Sequence, residues 1–140
     1  MRYWDSSALI PLVLDEPRAD QVRSFIIEDS SIISWWGTPV ECFSALCRRK
    51  KEGVLKEEDF SQARKEFDQL MAEIDLVTPS RDLRERALKV ISLHALRSGD
   101  AFQLAAALRW CREQSRGAVL VTLDDRLRRA ALDEGFTVLP

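Results

Sequence analysis

The sequence predicts an α/β fold built on a parallel sheet, and three observations lead there. Short β-like apolar runs alternate with longer helical stretches along the chain. No low-complexity linker or internal repeat interrupts that alternation. Acidic residues also stand where strand-like runs give way to helix, as in Arg2-Tyr3-Trp4-Asp5 followed by Ser6-Ser7-Ala8-Leu9. The 140 residues suit one domain spanning 1–140, and at that length roughly two-thirds of the unfolded chain's surface can be buried.

The predicted strands are Arg2–Trp4, Ser31–Ser34, Leu76–Thr78, Ala118–Thr122 and, after a turn at Gly135, Thr137–Leu139. Among the helices, Ala19, Val22, Phe25 and Ile26 form one apolar face, and Phe60, Ala63, Phe67, Leu70, Met71 and Ile74 form another at three-to-four spacing. Ala101–Cys111 is apolar nearly all round, with only Gln103 and Arg109 polar, so this helix is predicted to be buried and Asp100 to open it close to the core. Pro17 precedes one helix, Gly53 ends another, Pro79-Ser80 starts a third, and Ser98 is the expected cap of the Asp100 helix. Strands alternating with helices imply right-handed crossovers. In open sheets of this kind, ligands bind beyond the carboxyl ends of the strands, where strand order reverses. Asp5 and Asp124 both belong to that edge.

With 21 basic and 23 acidic side chains, net charge −2, the whole molecule does not advertise polyanion binding. Nucleic-acid contact would have to come from local patches, of which Arg48-Arg49-Lys50-Lys51 is one and Arg126, Arg128 and Arg129 another; for the first, a solvated helix end stabilised by the dipole serves equally well. The three cysteines, Cys42, Cys47 and Cys111, form no C-x-x-C pair and lie in apolar helical patterns, so they are expected to be core thiols. No signal peptide precedes Asp5, and no apolar run approaches the roughly 20 residues that span a bilayer. A soluble, cytoplasmic protein with no membrane partner is expected.

Four acids sit at comparable junctions: Asp5, Glu41 in Thr38-Pro39-Val40-Glu41-Cys42, Asp100 in Ser98-Gly99-Asp100-Ala101, and Asp124 in Val121-Thr122-Leu123-Asp124-Asp125. Asp5 and Asp124 also suit helix caps, and Asp100 suits the first turn of its helix. Glu41 is harder to explain that way, because Val40, Cys42, Phe43, Ala45 and Leu46 surround it. An ionised glutamate beside a core costs several kcal/mol unless paired or coordinated. Pairing with Arg48, two turns on, is the structural alternative to metal ligation. Carboxylates that converge raise one another's pKa, and a bound dication removes the penalty. Oxygen-only ligation favours Mg²⁺ or Mn²⁺. Ser7 is placed to orient Asp5 or a water on the cation. The single histidine, His94, lies on an apolar helical face with Ala87, Val90 and Ile91 and reads as structural. Serine and cysteine triads lack a base and no Gly-rich phosphate loop occurs, which leaves metal-assisted hydrolysis.

These segments resemble a known family. Tyr3-Trp4-Asp5-Ser6-Ser7-Ala8-Leu9 resembles the opening motif of PIN-domain ribonucleases. Pro39-Val40-Glu41 with Ser44-Ala45-Leu46-Cys47-Arg48-Arg49, then Leu96–Ala107, then Val121–Leu127, are similar to the family's later motifs in the same order. The resemblance covers essentially the whole chain, and its size is that of the stand-alone VapC-like toxins of type II toxin–antitoxin systems. It implies a three-layer α/β/α PIN-like fold with four or five parallel strands and the first strand central. It further implies endoribonuclease activity in which Asp5, Glu41, Asp100 and Asp124 hold Mg²⁺ or Mn²⁺, leaving a 5′-phosphate and a 3′-hydroxyl. Asp5 and Asp100 would ligate directly; Glu41 and Asp124 would act through water or on a second metal. Thr122 falls within the last motif as a supporting residue, and Asp125 competes with Asp124 for the fourth role. Partners implied are an RNA substrate, a VapB-type antitoxin inserting into the acidic groove, and a second copy in a homodimer.

Two other readings compete. A phosphoacceptor receiver or aspartate-nucleophile phosphatase expects a lysine near a later strand end, where Thr122-Leu123-Asp124-Asp125 stands instead. A non-catalytic PIN-fold scaffold would keep the acids only as caps. Trp35-Trp36 stands where the family usually has small or polar residues; core or interface packing, or stacking on a base, would each suit it.

Overall fold

The computed structural model describes residues 1–14 and 16–140. Five parallel strands, β1 (Arg2–Trp4), β2 (Ile32–Trp35), β3 (Asp75–Val77), β4 (Val119–Val121) and β5 (Thr137–Leu139), form one sheet in the order β3-β2-β1-β4-β5. The first strand is central. Strand order reverses between β1 and β4, where Tyr3 pairs with Leu120 and Trp4 with Val121. That boundary is the topological switch point at which open α/β sheets bind ligands.

Seven helices cover the sheet among the described residues: α1 (Ser6–Val13), α2 (Ala19–Glu28), α3 (Thr38–Lys51), α4 (Glu57–Glu73), α5 (Arg81–His94), α6 (Ser98–Trp110) and α7 (Asp125–Asp133). Successive side chains of a strand point to opposite faces, and the two halves of the core follow that rule. Tyr3 and Leu120 pack with Leu83 of α5, Leu104 of α6 and Leu127 of α7. Trp4 and Val121 pack with Leu9 of α1, Val22 of α2, Leu46 of α3 and Phe67 of α4. The three-layer α/β/α expectation is therefore met.

Local chemistry explains the boundaries. Ser80 caps α5, its hydroxyl accepting from Leu83 N at 3.1 Å. Gly135, at φ 93°, makes the turn into β5 in a backbone region that L side chains avoid. The middle of α6 is buried, Ala101 and Gln103–Leu108, with Gln103 at 1 % exposure.

Several expectations need correcting. The second and third strands lie one residue away from their predicted positions, and the fourth is shorter by one residue at each end. Ser98 does not cap α6: the capping position is Arg97, with no side-chain bond, and Ser98 is the first helical residue. The thiols are free but not all in the core, since Cys47 is exposed and Cys111 half-buried. Cys47 follows Cys42 by five positions, about 140° round the helix, which turns it away from the sheet. In the basic run, Arg49 Nε donates to Glu16 at 2.9 Å, and Lys50 pairs with Glu57 at 2.7 Å and lies over the Phe60 ring. Those two cations therefore pin α3 to neighbouring segments. His94 bonds to Glu134 at 2.9 Å, and Arg86 pairs with the same carboxylate at 2.9 Å, a structural link between α5 and the end of α7. No helix among the described residues is long and apolar enough to cross a membrane.

Candidate active site

Asp5 is the first residue beyond β1 and the N-cap of α1. Its backbone N–H continues the sheet by donating to Val121 O at 3.0 Å. Its side chain is 4 % exposed. Oδ2 accepts from Ser7 N at 3.2 Å, from the Ser7 hydroxyl and from Thr122 Oγ1 at 2.9 Å. Among the described residues Oδ1 has only the Ser6 hydroxyl, at 3.4 Å. One carboxylate oxygen is thus fixed by protein donors and the other is nearly bare.

The two hydroxyls also organise the opposite side of the switch point. Ser7 Oγ accepts from Leu123 N at 2.9 Å, and Thr122 Oγ1 accepts from Asp124 N at 3.0 Å. They therefore hold the turn after β4 in register with the turn after β1. Asp124 in turn caps α7, its Oδ1 accepting from Arg126 N and Leu127 N, both at 2.8 Å. Both acids are caps, and the capping accounts for one oxygen of each.

Glu41 enters from α3 and Asp100 from α6. Glu41 Oε2 accepts from Gln103 Nε2 at 2.9 Å, and the described residues show no ion pair with Arg48. Arg48 is exposed, and seven helical residues span about 10 Å. Gln103, to which no site role was expected to fall, is the hub of a buried network. Its Nε2 also donates to Thr38 Oγ1 at 3.0 Å, and Tyr3 Oη donates to its Oε1 at 2.8 Å. Ser34 Oγ lies 2.6 Å from Trp4 O and 2.7 Å from Thr38 Oγ1. With one proton it donates to the carbonyl, so the Thr38 hydroxyl supplies the other bond. The available signal was position: Gln103 follows Asp100 by three residues, on the same side of an otherwise apolar helix.

The acids feel one another as a row. Burial raises the Asp5 pKa to about 6 despite the hydroxyl bonds that lower it, and the charge of Glu41 adds to the rise. Asp100 is also raised, first by burial, then by Asp124 and Glu41, against the opposing pull of Arg97 and Arg126. Asp125 is exposed in the first turn of α7. The site lies at the amino end of α6. A cavity of ≈ 680 Å³ lined by Arg109, Arg112 and Glu113 lies at its other end, roughly 14 Å away at 1.5 Å per residue.

These donors fit a hard dication that keeps much of its water. They are all oxygens, Asp5 Oδ1 is nearly free, and burial, with a smaller contribution from neighbouring negative charge, raises two of the carboxyls. Among the described residues no three acidic, histidine or cysteine side chains are gathered closely enough to enclose an ion by themselves. Mg²⁺ typically binds through one or two carboxylates with waters and a substrate phosphate completing its shell, and that requires no closed cage.

Comparison with known proteins decides the family, because the sequence pattern of the PIN domain matches residues 2–132. The chain belongs to the PIN domain family. A curated protein similar to this PIN domain is Ribonuclease VapC46 of Mycobacterium tuberculosis (strain ATCC 25618 / H37Rv), 31 % identical over 137 residues, covering 98 % of this chain and 95 % of that protein. The crystal structure of PAE2754 from Pyrobaculum aerophilum has a similar fold, with a TM-score of 0.67 at 23 % identity over 99 % of this PIN domain and 89 % of that chain.

Two consequences can be measured. A carboxyl whose pKa is higher folded than unfolded stabilises the fold below its unfolded value and loses that contribution as pH rises through the folded value. For Asp5, from 3.8 to about 6, the metal-free protein loses up to about 3 kcal/mol from this group between pH 4 and 7. Asp5→Asn should therefore gain on wild type by about that amount over this interval in urea unfolding with EDTA; a gap independent of pH would contradict the burial account. Gln103→Leu should cost about 1–3 kcal/mol by leaving the Tyr3 hydroxyl and Glu41 without their donor or acceptor, and an unchanged unfolding midpoint would remove Gln103 from the hub.

Proposed function

We propose that this PIN domain is a metal-dependent endoribonuclease, acting as the toxin of a toxin–antitoxin pair, with residues 1–140 working as one catalytic domain. The observation that carries the reading is the row of electrostatically linked carboxylates, Asp5–Glu41–Asp100–Asp124, at the switch point of the sheet. Its likeness to a protein named as a VapC ribonuclease supports RNA as the substrate class. The absence of a lysine at the end of β4, where Thr122 and Asp124 stand, argues against a phosphotransfer pocket.

In this mechanism Asp5 and Asp100 would hold Mg²⁺ or Mn²⁺, and Glu41 and Asp124 would assist through water. That division follows from the bonds each side chain already makes. Asp5 is held through Oδ2 and offers Oδ1; Glu41 is held through Oε2 by Gln103; Asp124 gives Oδ1 to the α7 cap and keeps Oδ2. When bound, the cation polarises the phosphate and eases deprotonation of an attacking water. Water adds to phosphorus, the bond to the 3′ oxygen breaks, and a 3′-hydroxyl and a 5′-phosphate remain. Arg97 and Arg126, whose charges reach Asp100, offset the negative potential along the path of the phosphodiester. Ser7 and Thr122 position Asp5, and Asp124 rather than Asp125 is the fourth acid.

The same negative groove suits an arginine from a VapB-type antitoxin. A homodimer follows the family's habit, and free thiols are consistent with a reducing cytoplasm. Cleavage of single-stranded RNA in the presence of Mn²⁺ tests the reading. EDTA should abolish it, and Asp100→Asn should slow it by about two orders of magnitude or more. Cleavage that survives both would exclude this site.

A further inference from the structure

The carboxyl end of β2 carries an aromatic cleft that the catalytic reading does not use. Trp35 is buried and stacks on Phe102 of α6 with centroids 5.4 Å apart and planes 2° from parallel. Trp36 meets Trp35 edge-on at 6.5 Å and leaves 56 % of itself exposed. Gly37 makes this packing possible, since a Cβ there would meet Trp35 Nε1 at 2.6 Å. The exposed indole therefore stands on a fixed support. Across the cleft, of ≈ 410 Å³, lie Pro79, Arg81 and Arg84. Both arginines are exposed, and among the described residues neither pairs with a carboxylate.

The elements that form the cleft also carry two of the acids. Trp36 precedes the Thr38–Glu41 turn of α3, and Phe102 follows Asp100 by two residues on α6. We propose that this cleft is a nucleotide subsite of the nuclease, in which Trp36 stacks on an unpaired base of the RNA strand near the scissile bond while Arg81 and Arg84 contact its phosphates. The subsite rests on the ribonuclease reading and extends it to the substrate's form, a single strand with a splayed base. Stacking on an aromatic face tolerates any base, and unpaired guanidiniums complement a phosphate backbone. Sealing a second copy of the chain over the same surface would instead bury two cations without partners, which is costly.

Binding of a fluorescent single-stranded RNA to the Asp100→Asn protein, with calcium present, tests this. Trp36→Ala should weaken affinity roughly tenfold or more, and Trp36→Phe should restore most of it. Arg81→Ala with Arg84→Ala should also weaken binding and flatten the dependence of log K on log salt by about 1.4, the value for two phosphate contacts on a single strand. Circular dichroism and sedimentation accompany each variant. Affinity unmoved by Trp36→Ala, or a variant that changes only the oligomeric state, overturns the subsite. Trp36-dependent binding together with a wild-type protein that cuts no RNA would leave the cleft standing and sink the nuclease reading; wild-type cleavage that is unchanged by Trp36→Ala would do the reverse.

Discussion

The site depends on a buried carboxylate at the end of the central strand. Asp5 is almost wholly removed from solvent, yet one of its oxygens takes bonds from the Ser7 and Thr122 hydroxyls. Those hydroxyls belong to the turns after β1 and β4, the strands between which the sheet reverses order. One ionisable group thereby ties together the two loops that a ligand must touch, and burial pushes its pKa up to about 6. Without a cation the arrangement is under electrostatic stress at neutral pH; with one, the same desolvation strengthens the attraction.

Glu41 and Asp100 are carried by α3 and α6, whose packing fixes where they stand. Because the middle of α6, Ala101 and Gln103–Leu108, is buried, the helix cannot shift without disturbing both α5 and β2, and Asp100 stands one residue before that buried stretch. Gln103, one turn further, converts that rigidity into a tether for Glu41 and passes it through Thr38 and Ser34 to the Trp4 carbonyl, next to Asp5. The amide of Gln103 and the hydroxyls of Tyr3, Thr38 and Ser34 all find partners in that relay, as a buried network must if it is to hold a geometry. The scaffold therefore sets the spacing of the acids before any ligand arrives.

Much of this was legible in the residues. Alternating short strands and helices, and motifs in family order around Asp5, Glu41, Asp100 and Asp124, led to the α/β/α fold with the first strand central. Strand limits were less legible, because strands of three or four residues buried on both faces show no apolar–polar alternation to mark where they stop. Ser98 looked like a cap because of its residue type, but capping is decided by backbone geometry at Arg97. Gln103 was passed over because a lone amide on an apolar helix gives no hint of its partners, and those lie 62 to 100 residues away in the chain. Whether Glu41 paired with Arg48 or stood free of it depended on side-chain direction, which spacing alone left open.

Titration calorimetry of Mn²⁺ into the metal-free protein, repeated in buffers of different ionisation enthalpy, tests the central claim most directly. Near pH 6, where Asp5 is partly protonated, uptake should release a fraction of a proton, and that fraction should fall toward zero by pH 8. No uptake, or uptake with no proton released at pH 6, would contradict a dication held at the buried Asp5 carboxylate.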